Sequence, residues 1–395
     1  MGNEIFAKAN ELKAYFADIR QQIHQHPEVG GKEHHTAGLI RRELEKCGIE
    51  IVPISVPTGV VGLLHGKKAG SSQVTALRAD IDALPIVEKT GLPYASQQPG
   101  VMHACGHDGH TAMLLGAAKL LSTMTDRFSG TVKFIFQPGE ETLNGAKDMV
   151  EAGVLENPSV DSIAAVHSWP HLPVGVLGTW KGPYYASADA FSVKIIGGSG
   201  HGAYPHKSND SLLTAAQIVV ALQNITSRQL NAIDNTVLSV CTFHGGTAFN
   251  IIPESVEFGG TVRCHNSAIR QSMPDKMEKI IKNMAEAFNC KYEFTYHFAV
   301  PGVTNDPATV DLLAAAAEQT AGKEYVTPLP EPVMGSEDFG MYSEKIASSA
   351  ILRLGVGTPE NAKIALHNER FNFNDDAIPY GIALFTQYVI NKNNI

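Results

Sequence analysis

The sequence predicts an α/β fold in which a helix-flanked sheet is interrupted by a smaller α/β sandwich. Short apolar strands alternate with amphipathic helices up to about residue 186, a different order of elements follows, and the first pattern returns after Pro301. A chain of 395 residues with 44% hydrophobic content is long enough to bury two cores. We therefore predict a larger domain at residues 1–186 and 302–395 and an inserted domain at residues 187–301.

Helices and strands alternate through the first part of the larger domain. Apolar residues at helical spacing predict a helix from Asn10 to Gln25, which ends at His26-Pro27 because proline disfavours its continuation. The elements predicted next are a helix at Glu33–Cys47, strands at Val60–Leu64 and Val74–Ala79, a helix at Ala112–Leu121, a strand at Val132–Phe136, a helix at Ala146–Ala152 and a strand at Ser162–His167. This order is typical of a sheet flanked by helices.

The inserted region has a different order of elements. Its predicted strands are Phe191–Ile196, Thr236–Phe243, Ser255–Cys264 and Tyr292–Phe298, and its predicted helices are Leu212–Gln223 and Met273–Phe288. Two helices against four strands form a compact sandwich of their own. The larger domain then resumes with a helix at Pro307–Thr320, a strand at Ala350–Leu354 and a helix at Tyr380–Ile390.

Charge and composition argue against several classes of protein. A formal net charge of -9 disfavours a general nucleic-acid or anionic-membrane surface, so small molecules are the expected partners. The first 20 residues lack the continuous apolar core of a signal peptide, and no later segment approaches a membrane span, so we expect a cytoplasmic protein. The five cysteines are scattered and odd in number, unlike a disulfide framework, and we expect them to be reduced.

Cys105 and His107 form the first of two short clusters of candidate metal ligands. A thiolate and an imidazole suit zinc, manganese or a similar divalent ion, and Gly106 between them permits tight backbone geometry. Residues two apart do not share a helix face, so the pair is expected on a loop or at the start of a helix. We predict that this helix begins near Gly109.

Glu140 and Glu141 form the second cluster. They follow a predicted buried strand, which Pro138 and Gly139 close as a turn. Because neighbouring side chains diverge in a regular backbone, one carboxylate can ligate a metal while the other faces the water that the metal binds. The residues alone leave open which carboxylate has which role. Together the two clusters predict metal-assisted hydrolysis.

Further candidates lie at predicted strand ends, where the functional groups of α/β sheets collect. His167 ends one strand, and Asp80 and Asp82 occupy the same kind of position after another. We interpret Asp82 as a residue that accepts the free N–H of a ligand histidine and so orients it. The alternative interpretation is a helix or turn cap after the strand.

Five segments resemble motifs of the M20 metallopeptidase family, in its branch of hippurate, N-acyl-amino-acid and auxin-conjugate hydrolases. The segments are Arg78-Ala79-Asp80-Ile81-Asp82-Ala83-Leu84-Pro85, Cys105-Gly106-His107, Gln137-Pro138-Gly139-Glu140-Glu141, Gly197 to His206, and His367-Asn368-Glu369. The resemblance implies a zinc-exopeptidase-like catalytic domain with a helix-flanked mixed sheet, and it implies that the inserted domain is a lid and dimerisation domain. At Asp80 the chain departs from the peptidase members of the superfamily, which carry a histidine ligand there.

The resemblance also implies a role for each candidate residue. Five of them ligate two divalent metal ions: Cys105, His107, Glu141, His167 and His367. Glu140 is the general base. His201 polarises the substrate carbonyl, often across a dimer, while Asn250 and Arg263 bind the substrate carboxylate.

From these assignments we expect a metal-dependent amidohydrolase. It cleaves N-acyl amino acids, of N-acetyl or N-benzoyl type, to a carboxylate and a free amino acid. The expected cofactors are two ions of zinc, manganese, cobalt or nickel, and the expected assembly is a homodimer through the inserted domain. Neither a nucleic acid nor a membrane is an expected partner.

Three other functions stay open at this point. A metallo-dipeptidase or aminopeptidase would use the same metals on short unblocked peptides. A cysteine hydrolase would use Cys105 as a thiolate nucleophile paired with a histidine. A binding protein would keep the metal site without turnover, although Glu140 argues against it because a purely structural site needs no additional base.

Overall fold

An eight-stranded mixed sheet lies at the centre of the larger of two units. The structure is a computed structural model, and it describes residues 2–394. The larger unit contains the residues up to Gly182, Thr304–Pro332 and the residues from Met341 onward, while the smaller unit contains Pro183–Val303 and Val333–Gly340. The predicted α/β class with a helix-flanked mixed sheet is confirmed.

The helices and strands follow the predicted order along the chain. The strands are β1 Glu50–Val52, β2 Val60–His65, β3 Val74–Asp80, β4 Thr131–Gln137, β5 Ser162–Pro173, β6 Leu177–Thr179, β7 Gly182–Tyr185, β8 Ala188–Ile196, β9 Gly200–His201, β10 Thr236–His244, β11 Ile251–Ile252, β12 Ser255–Cys264, β13 Lys291–Val300, β14 Val303–Asn305, β15 Val326–Pro328 and β16 Ser348–Gly357. The α-helices are α1 Gly2–Glu11, α2 Lys13–Gln25, α3 His34–Lys46, α4 His107–Ser122, α5 Gly145–Glu151, α6 Ser211–Asn224, α7 Ser267–Ala287, α8 Pro307–Thr320, α9 Gly340–Ser343 and α10 Ile378–Lys392. Within residues 2–394, no helix combines the length and the apolar content that crossing a membrane requires.

The centre of the eight-stranded sheet is parallel. β4, β3, β5 and β16 are neighbours in this order and run in one direction, and β2 joins β4 in the antiparallel direction. Every residue of β3 and β4 is buried, as expected for parallel strands that helices cover on both faces. The carboxyl ends of the parallel strands therefore lie at one edge of the sheet, where the loops that follow them come together.

Two helices differ from those predicted. The predicted helix from Asn10 to Gln25 is instead two helices, α1 and α2, which are separated at Leu12. The helix predicted to begin at Met273 is α7, which begins earlier at Ser267. It does so because the side chain of Asn266 accepts two backbone hydrogen bonds and caps the first turn.

The smaller unit is a four-stranded antiparallel sheet with two helices. Its strand order is β10-β12-β8-β13, and α6 and α7 pack on one face around a separate hydrophobic core. A short strand pair, β9 with β11, places His201 opposite Ile251. This unit contains the two helices and four strands that the sequence predicted, together with short strands that it did not predict, among them β7, β9 and β11.

The boundary of the smaller unit differs from the predicted one. The prediction placed the inserted domain at residues 187–301 and left residues 333–340 in the larger domain. In the structure, residues 333–340 belong to the smaller unit, because their backbone forms hydrogen bonds with other residues of that unit. For example, the N–H of Ala186 donates to the carbonyl oxygen of Gly335. The role of this unit as a lid and dimerisation domain stays a prediction.

Candidate metal centre

Cys105 and His107 lie at the entry of α4. His107 is the first residue of this helix, two residues before the predicted start, and Cys105 lies in the preceding loop. Gly106 has a φ of 88°, in the left-handed region that favours glycine, and a Cβ at this position would lie 2.5 Å from Ser168 Oγ. The pair therefore lies at a loop and a helix start, as its spacing predicted.

The residues predicted as metal ligands lie together near the carboxyl edge of the central strands. The residues form three overlapping groups of three, and within each group the ligand atoms lie within 4.8 Å of one another. The first group is Cys105, His107 and His167, the second is Cys105, Glu141 and His367, and the third is His107, Glu140 and Glu141. All six residues belong to the larger unit. They come from four separate segments of the chain, so only the folded sheet brings them together.

His367 reaches the cluster from a loop with a rare backbone conformation. Its φ of 63° is uncommon for a residue other than glycine, and its N–H donates to the carbonyl oxygen of Ala104. Its Nε2 lies 3.3 Å from Glu141 Oε1, and the same oxygen lies 3.9 Å from His107 Nε2. One oxygen of Glu141 therefore lies between two candidate ligand histidines.

Hydrogen bonds orient two of the histidines so that one ring nitrogen of each faces the cluster. His107 Nδ1 lies 3.0 Å from the carbonyl oxygen of Asp82, and His167 Nδ1 lies 2.9 Å from that of Ser168. Because carbonyl oxygens only accept, both Nδ1 atoms carry the proton. Within residues 2–394 the buried Nε2 of His107 has no hydrogen-bond partner, and Nε2 of His167 lies 3.5 Å from Cys105 Sγ. Converging lone pairs of nitrogen and sulfur fit a divalent cation.

Asp82 contacts two of the candidate ligands. Its Oδ1 lies 3.2 Å from His107 Nδ1, and its Oδ2 accepts the backbone N–H of Glu141 at 3.0 Å. The carboxylate is buried, so these contacts are shielded from water. This geometry supports the orienting role of Asp82 over a simple turn cap.

Carboxylates dominate the electrostatics of the cluster. Burial, together with Glu141 and Glu140, raises the pKa of the Cys105 thiol well above its usual range. Burial opposes a charged imidazole at His107, but Asp80 and the other nearby carboxylates outweigh it and raise the pKa of His107 to about 10. A cation stabilises such an excess of buried negative charge, and its coordination deprotonates a thiol.

Two residues beside the cluster were missed by the sequence analysis. Ser168 is fully buried and bonds to the loop that leads to α4, and its only sequence signal is that it follows His167. Glu33 is also fully buried, and its Oε1 accepts the N–H of Gly139 at 2.9 Å, next to Glu140. No local pattern marks Glu33, because its contact joins segments that are distant in the chain.

Three residues that were predicted to contact the substrate belong to the smaller unit: His201, which was predicted as catalytic, and Asn250 and Arg263, which were predicted to bind the substrate carboxylate. His201 and Asn250 are exposed and lie close together, because β9 pairs with β11 and the N–H of Gly202 donates to the carbonyl oxygen of Asn250 at 2.8 Å. β12 begins at Ser255, shortly after Asn250 in the chain, and Arg263 lies near the other end of this strand, roughly 27 Å from Ser255. In the part of the chain that the structure describes, its buried Nη1 has no hydrogen-bond partner. One chain therefore brings together His201 and Asn250 but not Arg263.

The fold and the cluster define a class of protein, the metal-dependent hydrolases built on a helix-flanked mixed sheet. Residues 76–391 match the model of peptidase family M20/M25/M40, and the chain belongs to this family. The family resemblance that the five sequence motifs predicted is thereby confirmed.

Two curated relatives and one solved structure match nearly the whole chain. The chain is 39% identical to N-acetylcysteine deacetylase of Bacillus subtilis (strain 168) over 374 residues, which are 94% of this chain and 95% of that protein. It is 37% identical to hippurate hydrolase of Campylobacter jejuni over 382 residues, which are 96% of this chain and 97% of that protein. The crystal structure of the Bacillus subtilis YXEP protein, described as a dinuclear metal-binding peptidase from the M20 family, matches with a TM-score of 0.85 and 34% identity, covering 97% of this chain and 98% of that one.

Proposed function

We propose that the protein is a metal-dependent amidohydrolase that cleaves the amide bond of N-acyl amino acids to a carboxylate and a free amino acid. The observation that carries this proposal is the buried cluster of candidate ligands with a second carboxylate, Glu140, beside it. The names of the two curated relatives each specify an N-acyl amino acid, N-acetylcysteine in one and hippurate in the other. They support acyl groups of the acetyl and benzoyl type.

Five residues would hold two divalent metal ions: Cys105, His107, Glu141, His167 and His367. When bound, such ions supply Lewis acidity, which acidifies water and polarises a carbonyl oxygen. The thiolate of Cys105 suits zinc, whereas carboxylate and imidazole ligands also take manganese, cobalt or nickel. Asp82 would orient the His107 ring and the backbone of Glu141 through the hydrogen bonds described above.

Glu140 would move the proton in the reaction. It accepts a proton from the attacking water, whose oxygen bonds to the amide carbonyl carbon. It then donates this proton to the leaving amine nitrogen as the C–N bond breaks. Glu140 suits this role because it is 6% exposed and lies in one ligand group with His107 and Glu141.

The smaller unit would bind the substrate. His201 donates a hydrogen bond to the amide carbonyl oxygen, a contribution of the kind that costs about 3 kcal/mol of transition-state stabilisation when one donor is removed. Asn250 and Arg263 would bind the carboxylate of the amino acid, with one of the two supplied by a second copy of the chain, because one chain does not bring them together. The exposure of His201 and Asn250 supports these roles, since both side chains are free to meet a ligand.

A thiolate mechanism at Cys105 has weaker support. Burial and two carboxylates raise the pKa of this thiol, so the nucleophilic thiolate is scarce at neutral pH unless a cation stabilises it. A metallopeptidase acting on short unblocked peptides is the second candidate function. It is favoured by the description of the YXEP structure as a peptidase.

We also infer a homodimer through the smaller unit. β10 lies at the edge of its sheet, and within residues 2–394 it pairs with β12 alone. The neighbouring α6 has no charged residue and exposes 49% of Leu213 and 70% of Val220. An unpaired strand edge beside an apolar helix face favours association with a second copy of this chain.

The proposed function is tested by the release of free amine from three kinds of substrate: N-acetyl amino acids, N-benzoyl amino acids and unblocked dipeptides. The protein is first stripped with a chelator, and zinc, manganese, cobalt or nickel is then added back separately. We expect that metal restores cleavage and that cleavage is confined to the N-acyl substrates. Preferential cleavage of dipeptides would favour the peptidase function, and activity without metal would overturn the metal-dependent mechanism.

A further inference from the structure

Ser168 is a buried residue whose three polar groups contact three different side chains or loops of the metal centre. Its carbonyl oxygen accepts Nδ1–H of His167 at 2.9 Å, and its hydroxyl donates to the carbonyl oxygen of Cys105 at 2.9 Å. Its N–H donates to His110 Nε2 at 2.8 Å. We propose that Ser168 is a positioning residue for the metal ligands Cys105 and His167. This inference rests on the proposed function, because it takes both residues as ligands.

The carbonyl oxygen of Ser168 sets the tautomer of His167. A carbonyl oxygen only accepts, so Nδ1 carries the proton and Nε2 keeps its lone pair. That Nε2 lies 3.5 Å from Cys105 Sγ, so the lone pair faces the other ligand. Rotating the imidazole away from the cluster would break the bond to Ser168.

The hydroxyl of Ser168 holds the loop that carries Cys105. Its bond to the Cys105 carbonyl fixes the peptide between Cys105 and Gly106, and this peptide determines where the thiol points. The close approach requires glycine at position 106, because a Cβ there would lie 2.5 Å from the hydroxyl oxygen. Alanine at position 168 would leave the Cys105 carbonyl without this donor.

A buried chain of hydrogen bonds holds Ser168 in turn. His110 Nε2 accepts from the N–H of Ser168, so His110 Nδ1 carries the proton and donates to Asp80 Oδ1 at 2.6 Å. Asp80 Oδ2 accepts from Arg78 at 2.7 Å. The four residues are all buried, so water does not compete for these bonds.

A purely structural role for Ser168 would have a different consequence from a positioning role. A buried serine that only supports the fold would change the stability of the protein when it is replaced, without changing metal binding. Ser162 provides a matched control, because it is a fully buried serine on the same strand, and its hydroxyl donates to Thr75 Oγ1 at 3.4 Å, away from the ligands. The pair Ser168→Ala and Ser162→Ala therefore separates the two roles.

The test measures the zinc affinity of the wild type and both alanine variants by competition with a chromophoric chelator. The thiolate-to-metal absorption band is recorded in parallel with cobalt as the probe. Because residues that orient metal ligands are worth about 10- to 100-fold in metal affinity, we expect this loss for Ser168→Ala, with a changed cobalt band, and no change for Ser162→Ala. Thermal unfolding of the metal-stripped variants checks that both are folded.

Each outcome of the test supports or overturns the proposal. If the wild type binds zinc and Ser168→Ala binds it equally well, Ser168 is not a positioning residue. If the wild type binds no zinc, the same competition is run with manganese, cobalt and nickel, and a wild type that binds none of the four metals shows that the proposed function itself is wrong. If Ser168→Ala does not fold, the zinc affinities of Ser168→Thr and Ser168→Val are compared instead, because these two side chains have a similar shape and only threonine keeps the hydroxyl. We then expect zinc affinity near that of the wild type for Thr and a loss for Val, and equal affinities would overturn the proposal.

Discussion

Glu140 is the single residue on which turnover depends most directly in the proposed reaction. The substitution Glu140→Gln keeps the size of the side chain but removes its ability to exchange a proton. We expect kcat for an N-acyl amino acid to fall by about 10²- to 10⁴-fold, while the metal content stays that of the wild type. Glu151→Gln is the matched control, because Glu151 is an exposed glutamate on α5. Substantial activity in metal-saturated Glu140→Gln would show that another group moves the proton.

His24 is a buried histidine whose two ring nitrogens both face carboxylates. Nδ1 lies 2.8 Å from Asp108 Oδ2, and Nε2 lies 3.4 Å from Glu88 Oε1. Burial disfavours the charged imidazole, but the hydrogen bonds to the two carboxylates outweigh it and raise the pKa of His24 to about 9. The imidazolium is therefore the form that these contacts stabilise.

This raised pKa predicts a pH-dependent contribution of His24 to stability. Since the folded pKa lies above the unfolded value of about 6.5, the contribution is fully present below that pH and is lost as the pH rises to about 9. We expect the difference in free energy of unfolding between the wild type and His24→Gln to shrink by about 3 kcal/mol over this range. Urea unfolding of metal-stripped protein measures it without pH-dependent metal binding. A difference that does not vary with pH would contradict the charged form of His24.

At the scale of single elements, Lys133 on strand β4 connects this strand by hydrogen bonds to the chain segment that follows α5. Its ammonium group is buried and donates to three carbonyl oxygens, those of Val154, Glu156 and Pro158, at 2.8 to 2.9 Å. Burial lowers the pKa of Lys133 to about 8, so the group remains mostly charged at neutral pH. One side chain therefore supplies a donor to three carbonyl oxygens of this segment.

Lys133→Met should loosen this segment, because it leaves three carbonyl oxygens without their donor. We expect the free energy of unfolding to fall by about 3 kcal/mol, since unsatisfied buried polar groups are costly. The control is Lys147→Met on α5, where the lysine side chain is 53% exposed. Urea unfolding measures the free energy of unfolding of both variants. A decrease for Lys133→Met no larger than that for the control would show that the hydrogen bonds of Lys133 do not stabilise this segment.

At the scale of the whole molecule, the inferred dimer depends on α6 and on the free edge of β10. Val220→Glu places a charge on the exposed face of α6, and we expect it to shift the protein from dimer to monomer because burying an unpaired charge is costly. Val87→Glu is the matched control, since Val87 is 63% exposed in the larger unit. Size-exclusion chromatography with light scattering measures the mass of each variant. A monomeric wild type, or a dimeric Val220→Glu, would contradict this interface.

Much of the fold was predictable because its elements carry local patterns. Apolar periodicity located the strands and helices of both units, and most of their ends differ from the predicted ones by only one to a few residues. The split between α1 and α2 and the early start of α7 were not predicted, because caps and breaks depend on one or two residues. The prediction left residues 333–340 in the larger domain, whereas the structure groups them with the smaller unit, because long-range backbone pairing decides their place and leaves no periodic signal.

The sequence by itself determined the class of fold, the family and the identity of the candidate ligands. Residue type limits which side chains can bind a metal, and short motifs carry that chemistry wherever the chain folds. The tertiary structure alone decided that Cys105 lies beside His167, that one oxygen of Glu141 lies between His107 and His367, and that Ser168 and Glu33 hold the surrounding loops. The physical reason is that hydrogen bonds and close packing between distant segments depend on distances of a few ångströms, which composition, periodicity and spacing do not encode.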